Sequence, residues 1–298
     1  MSGFGAPRIA LLTALAMVAF AANSVLNRIA LAGGEADALG YTGIRLVSGA
    51  LMLALILWLR RGGHETPGQG RIGGSWAGAL ALLLYAVGFS LAYLALDAGT
   101  GALVLFAAVQ IGMLGWALGQ GDRPGVVEWA GFGAAILFLV LLLRPGLTAP
   151  DPLGAALMVG AGLAWAGYTL LGRGSTAPLT DTAGNFLRCL PVAALLLVPG
   201  VWAGSITPAG WAYAIASGAL ASGLGYAVWY GVLPALERTT AAYVQLTVPA
   251  IAAAGGVIFI AEPLTLRLAL CSAGILGGVA LALRGAEARR RAARSQDH

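Results

Sequence analysis

Long apolar segments separated by short polar ones follow each other along almost the whole chain of 298 residues. A bilayer core about 30 Å thick requires about 20 apolar residues of helix. The segments lack the alternation of apolar and polar positions that a water-exposed element shows. They predict an all-α integral membrane protein with ten membrane-spanning helices, near residues 8–31, 38–60, 73–96, 100–119, 125–143, 152–171, 180–202, 208–233, 239–260 and 264–284.

The two halves of the chain resemble each other. A shift of 140 residues places Asp122 on Glu262 and Arg144 on Arg284. The general similarity of apolar helices is the alternative explanation, and matched charges at helix ends argue against it. Five spans per half is an odd number, so the second half is expected to enter the membrane from the opposite side, as in many secondary transporters. We expect a first five-helix repeat at 1–147, a second, inverted five-helix repeat at 148–284 and a basic cytoplasmic tail at 285–298.

The basic residues are all arginines, and their positions predict the orientation in the membrane. Cytoplasmic segments are enriched in positive charge. With both termini in the cytoplasm, the outer loops keep only Arg144 and Arg267, and the cytoplasmic segments collect Arg8, Arg60, Arg61, Arg71, Arg123, Arg173, Arg238, Arg284, Arg289, Arg290, Arg291 and Arg294. We expect a multi-pass protein of a bacterial inner membrane.

The net charge of +5 therefore reports topology. The basic run at 287–294 is interpreted as an anchor beside anionic lipid rather than as a nucleic-acid site. The expected partners are the lipid bilayer and a small-molecule substrate, with no nucleic acid, and we expect a monomer.

Three patterns that suggest other functions have simpler interpretations. Residues 8–22 resemble a signal peptide, but their removal would break the five-plus-five pattern, so they are interpreted as a retained first span. The G-x-G-x-x-G match at 68–73 lies in a short loop rather than between a strand and a helix, so it is a chance match. Cys189 and Cys271 fall inside predicted spans and are interpreted as small apolar residues rather than as a disulfide.

Reactive side chains that could converge on a substrate are scarce. The two histidines are His64 in a loop and His298 at the terminus, and no H-E-x-x-H, C-x-x-C, G-x-S-x-G or Walker motif is present. We therefore expect no enzyme, no cofactor and no metal. The carboxylates fall near predicted span ends, which disfavours a carboxylate-ring channel and a proton relay, and favours facilitated transport.

Aromatic rings and neutral hydrogen-bonding groups are the chemistry that the spans carry. Membrane-interface anchoring and helix–helix hydrogen bonding are the alternative roles for such residues. The candidate substrate-binding residues are Asn23 in the first span, Tyr85, Phe89 and Tyr93 in the third, Phe106 and Gln110 in the fourth, Trp165, Tyr168 and Thr169 in the sixth, Tyr226 and Trp229 in the eighth, and Tyr243, Gln245 and Thr247 in the ninth.

Other intramembrane features are interpreted as structural. Arg45 and Arg188 are expected to snorkel or to pair with a helix terminus rather than to contact a ligand. The small-residue motifs Gly115-x-x-x-Gly119 and Gly274-x-x-x-Gly278 are expected to permit close helix packing.

Several short segments resemble a known group of transporters: Asn23-Ser24, Gly88-Phe-Ser-Leu-Ala-Tyr93, Ala108-Val-Gln110, Ala164-Trp-Ala-Gly-Tyr168, and the acidic positions Asp122 and Ala261-Glu262-Pro263. With the ten spans and the inverted repeat, they resemble the EamA-type drug/metabolite transporter (DMT) superfamily, and within it the YddG aromatic amino acid exporters. The resemblance implies a basket-shaped helical fold. Its central cavity would open alternately to each side and be bordered by the first, third, fourth, sixth, eighth and ninth spans.

The candidate cavity is expected to hold no cation at mid-depth, which disfavours phosphorylated substrates, whose charge would need arginine or lysine. A zwitterion can be held by amides, hydroxyls and helix dipoles while its ring stacks on aromatic side chains. We therefore expect an exporter of aromatic and other neutral amino acids that works by alternating access. The alternatives are a broad exporter of drugs or other metabolites, a membrane enzyme or assembly factor that acts on lipids, and a non-transporting interaction subunit.

Overall fold

The chain folds into a helical bundle. The computed structural model describes residues 6–60, 73–144, 149–236 and 238–296, and within them it contains helices and turns but no strand. The α-helices are α1 (Ala6–Ala32), α2 (Ala38–Arg60), α3 (Trp76–Ala92), α4 (Ala98–Gly119), α5 (Val126–Leu143), α6 (Pro152–Leu171), α7 (Pro178–Ala203), α8 (Pro208–Ile215), α9 (Gly225–Val232), α10 (Arg238–Gln245), α11 (Val248–Ile260) and α12 (Leu266–Gln296). The expected repeat boundary at 147–148, Arg61, His64, residues 68–72, including Arg71, and His298 lie outside the described residues.

Eight helical segments of the described part are long and apolar enough to cross a membrane, one of them Thr240–Ile260, which spans α10 and α11 together; this confirms the fold class. The third expected span is α3, which has only 17 residues. The eighth is a continuous run in which the π-helix Ala216–Leu224 joins α8 to α9. The ninth is divided into α10 and α11 by a turn at 246–247, just before Pro249, which lacks a backbone N–H. The number ten stays a prediction.

Helix packing brings the two halves together along most of their length. α2 packs on α7, α5 on α12, α4 on α11, α3 on α6, and α1 on α9 and α11. Glycines permit the closest of these approaches. A Cβ atom added at Gly278 would lie 2.6 Å from the Gly131 carbonyl oxygen and 2.7 Å from the Ala135 nitrogen. A Cβ added at Gly115 or Gly119 would meet no atom of the described residues within 4 Å, so the expected packing role of that motif is wrong.

The outer surface of the bundle is apolar, as lipid exposure requires. Tryptophans near helix ends are largely exposed, at 69% for Trp58, 72% for Trp76 and 87% for Trp202, which is the placement of interfacial anchors. Both cysteines are buried and free, so the interpretation of Cys189 and Cys271 as small apolar residues is confirmed.

Hydrogen bonds between connecting segments define two ends of the bundle. At one end the α1–α2 turn meets the α7–α8 turn, where the Thr207 N–H donates to the Glu35 carbonyl at 2.9 Å. At the other end the Gly74 N–H, just before α3, donates to the Asp181 carboxylate of α7 at 2.7 Å. Arg289 of α12 binds Glu128 at the start of α5, also at that second end.

Substitution of Gly278 by alanine is expected to destabilise the protein by about 1–3 kcal/mol, because the new methyl group meets rigid backbone of α5. The midpoint of thermal unfolding in detergent measures the effect. Gly115→Ala is the matched control and is expected to be neutral or stabilising, since alanine is the better helix former. Equal destabilisation by the two substitutions would contradict the close α5–α12 packing.

Candidate functional site

A cavity of about 580 Å³ lies inside the bundle, a size typical of small-molecule sites. It is lined by α1, α3, α4, α6, α9 and α10, which belong to the spans expected from the resemblance, and also by α7. Ten of the fourteen predicted site residues line it: Asn23, Tyr85, Phe89, Phe106, Trp165, Tyr168, Thr169, Tyr226, Trp229 and Gln245.

One side of the cavity is an aromatic wall centred on Trp165 and formed with Tyr85, Phe89, Tyr168 and Tyr226. The Trp165 ring stacks on Tyr168 with centroids 5.0 Å apart and on Tyr226 at 5.9 Å. It also meets Tyr85 at 4.7 Å, and Tyr85 meets Phe89 at 5.2 Å. Offset and tilted rings at these separations attract one another and offer a further ring both faces and edges. The wall can therefore bind an aromatic or large apolar group.

Asn23 faces the cavity from α1 and is held by the π-helix. Its side-chain oxygen accepts hydrogen bonds from the Ser217 hydroxyl at 2.8 Å and from the Ser222 hydroxyl at 3.3 Å. The two serines are five positions apart, which is the period of π-helical hydrogen bonding, so the π segment brings both to the same face. Because the oxygen is occupied, the amide NH₂ is the group that Asn23 offers to a ligand.

The cavity reaches one end of the bundle, here called the open end, at the exposed residues Gly172 and Gly174 between α6 and α7. Polar groups of α7 line this part. The Tyr168 hydroxyl donates to Thr182 at 3.1 Å, and Asn185 donates to Tyr168 at 3.5 Å. Asp181 accepts from the Gly74 N–H and from the Ser175 hydroxyl. These bonds join α6, α7 and the start of α3 at the mouth of the cavity.

At the opposite end, here called the closed end, an ion-pair network joins four helix ends. The Arg28 Nε donates to Glu262 at 3.1 Å, its Nη2 lies 3.4 Å from Asp97, and its Nη1 donates to the Tyr93 carbonyl at 3.1 Å. Glu262 also accepts from the Ala98 N–H, the first of α4, at 2.9 Å. The pKa of Glu262 is raised, because the effect of burial outweighs the hydrogen bonds from Ala98 and Arg28, which lower it.

Four of the predicted site residues do not line the cavity. Tyr93 is fully buried beyond Phe89, with its hydroxyl donating to the Ala98 carbonyl at 3.3 Å. Tyr243 donates to the Ala280 carbonyl of α12 at 3.3 Å, and the exposed Thr247 donates to the Val244 carbonyl at 2.6 Å. Gln110 is half-buried one turn beyond Phe106. These four residues lie outside the cavity lining, and their role in substrate binding stays a prediction.

The structure overturns the expectation for Arg45. Its side chain does not snorkel, because the residue is only 2% exposed. The Nη2 donates to the Tyr85 hydroxyl at 3.1 Å, and the guanidinium carbon lies 5.4 Å from the Tyr85 ring and 5.0 Å from the Phe89 ring. A cation thus lies directly behind the aromatic wall, where none was expected. Arg188 fits its expectation better, because it donates to the Gly184 and Gly73 carbonyls beside Trp76.

Comparison with known proteins places this architecture in a family. The profile of the EamA-like transporter family matches residues 152–284. The threonine/homoserine exporter RhtA of Escherichia coli (strain K12) is 31% identical over 87% of this chain and 85% of its own length. The chain belongs to the EamA-like transporter family.

Further relatives of this EamA-family transporter agree with that assignment. An uncharacterized protein of Pseudomonas aeruginosa is 52% identical over 93% of the chain and 94% of its own length. The uncharacterized transporter YwfM of Bacillus subtilis is 27% identical over 83% of the chain and 86% of its own length. A crystal structure of a protein that is 20% identical superposes with a TM-score of 0.61, covers 91% of this chain and 95% of that one, and supports the fold.

Family membership confirms the predicted superfamily and the prediction of a membrane transporter. This EamA-family protein is a multi-pass membrane transporter of the drug/metabolite superfamily, and the relatives whose names state a role are transporters. The α7 residues Thr182 and Asn185 were missed because the resemblance places the cavity on other spans. An amide inside an apolar span was the signal available for Asn185.

The hydrogen bonds between Asn23 and the π-helix predict energetic coupling in this EamA-family transporter. Asn23→Ala and Ser217→Ala are each expected to destabilise the fold, since each leaves a buried group without its partner. The double variant is expected to cost less than the sum by about 0.5–1.5 kcal/mol. Thermal unfolding of the four proteins in detergent measures this coupling. Additive losses would show that Asn23 and Ser217 do not bind each other.

Proposed function

We propose that this transporter exports aromatic and other neutral amino acids by alternating access, without a coupled ion. The observation that carries the proposal is the cavity, which is lined both by the aromatic wall centred on Trp165 and by Asn23. An amino acid needs both kinds of surface at once.

The aromatic wall and the polar groups of the cavity match the two parts of an amino acid. A zwitterion has no net charge, so amides, hydroxyls and helix dipoles can hold its two ends at low cost. We propose that Phe89, Phe106, Trp165, Tyr168 and the ring of Tyr85 contact its side chain, with Thr169, Tyr226 and Trp229 completing the pocket, and that Asn23 and Gln245 contact its head group.

Two substrate classes compete within amino-acid export. The similarity to RhtA, whose name states threonine and homoserine, favours small hydroxylated amino acids. The aromatic wall favours the aromatic class and supports the resemblance to the YddG exporters, because a small side chain would leave most of the ring surface of the wall uncovered. A broad exporter of drugs or other metabolites is the remaining alternative, and the membrane enzyme or assembly factor has no observation in its favour.

The packing of the helices supports the proposed inverted repeat, with halves at 1–147 and 148–284. Exchange of the halves would map α1–α5 onto α6, α7, α8–α9, α10–α11 and α12. The pairs α2–α7, α4–α11 and α5–α12 would each map onto themselves, and α3–α6 would map onto α9–α1. If the two halves exchange their conformations, one end of the cavity closes as the other opens.

The arginine distribution supports an orientation. Arg60, Arg123 and Arg173 lie at the open end of the bundle, at the end of α2 and in the α4–α5 and α6–α7 connections. The positive-inside rule places this end in the cytoplasm of a bacterial inner membrane, with both termini on the same side. The structure would then represent the inward-facing state.

Trp165→Ala is expected to slow phenylalanine exchange about tenfold or more, because the variant loses both ring stacking and burial of the substrate's side chain. Purified protein in liposomes, assayed for counterflow of labelled phenylalanine without an ion gradient, measures this. Trp202→Ala is the matched control, since Trp202 is 87% exposed on the outer surface.

Unlabelled competitors separate the substrate classes in the same assay. Suppression by tryptophan and tyrosine, with weak suppression by threonine and homoserine, is the expected result. Suppression by threonine and homoserine but not by tryptophan and tyrosine would contradict the aromatic specificity and favour small hydroxylated substrates. Suppression by unrelated apolar drugs would favour the broad exporter. Normal phenylalanine exchange by folded Trp165→Ala protein would refute the pocket assignment.

A further inference from the structure

We infer that Arg45 is a positioning residue that directs the Tyr85 hydroxyl to hold the carboxylate of the substrate. The inference rests on the proposed transport of amino acids and names the group of the substrate that the site recognises. Tyr85 would touch the substrate and Arg45 would act through it.

Arg45 is a buried cation whose charge is not neutralised. It is 98% buried in α2, and one of its terminal nitrogens, Nη1, has no hydrogen-bond partner in the described part of the chain. Among the residues that the structure describes, no carboxylate oxygen lies within 4.0 Å of its guanidinium. Arg28 and Arg289, by contrast, each contact two carboxylates. An ionised side chain inside a membrane protein is costly, and it is usually retained for function.

Tyr85 carries the influence of this charge to the cavity. The Tyr85 hydroxyl oxygen accepts the hydrogen bond from Arg45 Nη2 at 3.1 Å, and Tyr85 lines the cavity. Because the oxygen is used as an acceptor, the hydroxyl proton remains available for donation to a ligand. Hydrogen bonds polarise one another along a chain, so a cationic donor behind Tyr85 makes its hydroxyl a stronger donor.

Asn23 presents the same kind of group. Its oxygen is occupied by Ser217 and Ser222, which leaves its NH₂ for a ligand. Tyr85 and Asn23 therefore both offer donors to one cavity, with a positive charge behind one of them. Two donors and a cation match an anionic oxygen group, and a carboxylate is the anionic group of every amino acid.

The test compares amino acids with their amides, which keep the side chain and the amine but lack the carboxylate. In the wild type, phenylalanine is expected to inhibit counterflow at a concentration about tenfold lower than phenylalaninamide, or lower still. A factor of this size corresponds to one charge-assisted hydrogen bond. Arg45→Met and Tyr85→Phe are each expected to weaken competition by phenylalanine about tenfold while changing competition by phenylalaninamide less than about twofold. Arg45→Lys is expected to restore part of the preference.

The controls separate positioning from folding and from substrate class. Arg188→Met removes an equivalent charge that is bonded to backbone carbonyls, and it should keep the wild-type preference. Threonine and threoninamide form a second pair, so a preference seen only with that pair would support the inference and overturn the aromatic specificity.

Three results would overturn the inference. One is a wild type whose amino-acid exchange is inhibited equally by phenylalanine and by phenylalaninamide, which would leave the proposed function standing. A second is that Arg45→Met and Tyr85→Phe weaken inhibition by phenylalanine and by phenylalaninamide to the same extent, which is the signature of a structural role. The third is a wild type that exchanges no amino acid, which would overturn the proposed function as well.

Discussion

The ion pair between Arg28 and Glu262 is the contact on which the arrangement of the cavity depends. It joins the end of α1 to the segment after α11, and Glu262 at the same time accepts the first N–H of α4. A helix N-terminus favours a nearby negative charge, so the same carboxylate satisfies an arginine and a helix dipole. With this end closed, the cavity ends about one helical turn inside it, near Ser24 and Phe89, and extends to the opposite end.

Several polar groups that line the cavity form hydrogen bonds with a neighbouring helix or segment. Asn23 binds the π-helix, Tyr168 binds Thr182, and Asp181 binds the start of α3. Arg45 differs from them as a charged group, since it is buried and its Nη1 has no hydrogen-bond partner among the described residues. The desolvation cost of a buried charge is not repaid without a counter-charge, which makes the presence of Arg45 easier to explain by ligand recognition than by stability.

The sequence was sufficient for the class of fold and for much of the cavity, and insufficient for the directions of individual side chains. Apolar segments of membrane length identify helices because the bilayer requires internal hydrogen bonding of the backbone. Trp165 and Tyr85 were found because aromatic residues at one-turn spacing share a face. Hydropathy does not say which face of a helix meets the cavity, so the sequence could not show that Tyr93 lies beyond the cavity lining. The π-helix that brings Ser217 to Asn23 leaves no pattern in composition.

Alternating access through this cavity is the central claim, and spin-label distances across both ends test it most directly. In a protein with Cys189→Ala and Cys271→Ala, one labelled pair at Leu94→Cys and Phe259→Cys would report on the closed end, and a second at Arg173→Cys and Ala235→Cys on the open end. With phenylalanine in lipid nanodiscs, we expect a longer distance to become populated at the closed end and a shorter one at the open end. Distances that stay fixed at both ends, or lengthen at both together, would contradict the claim.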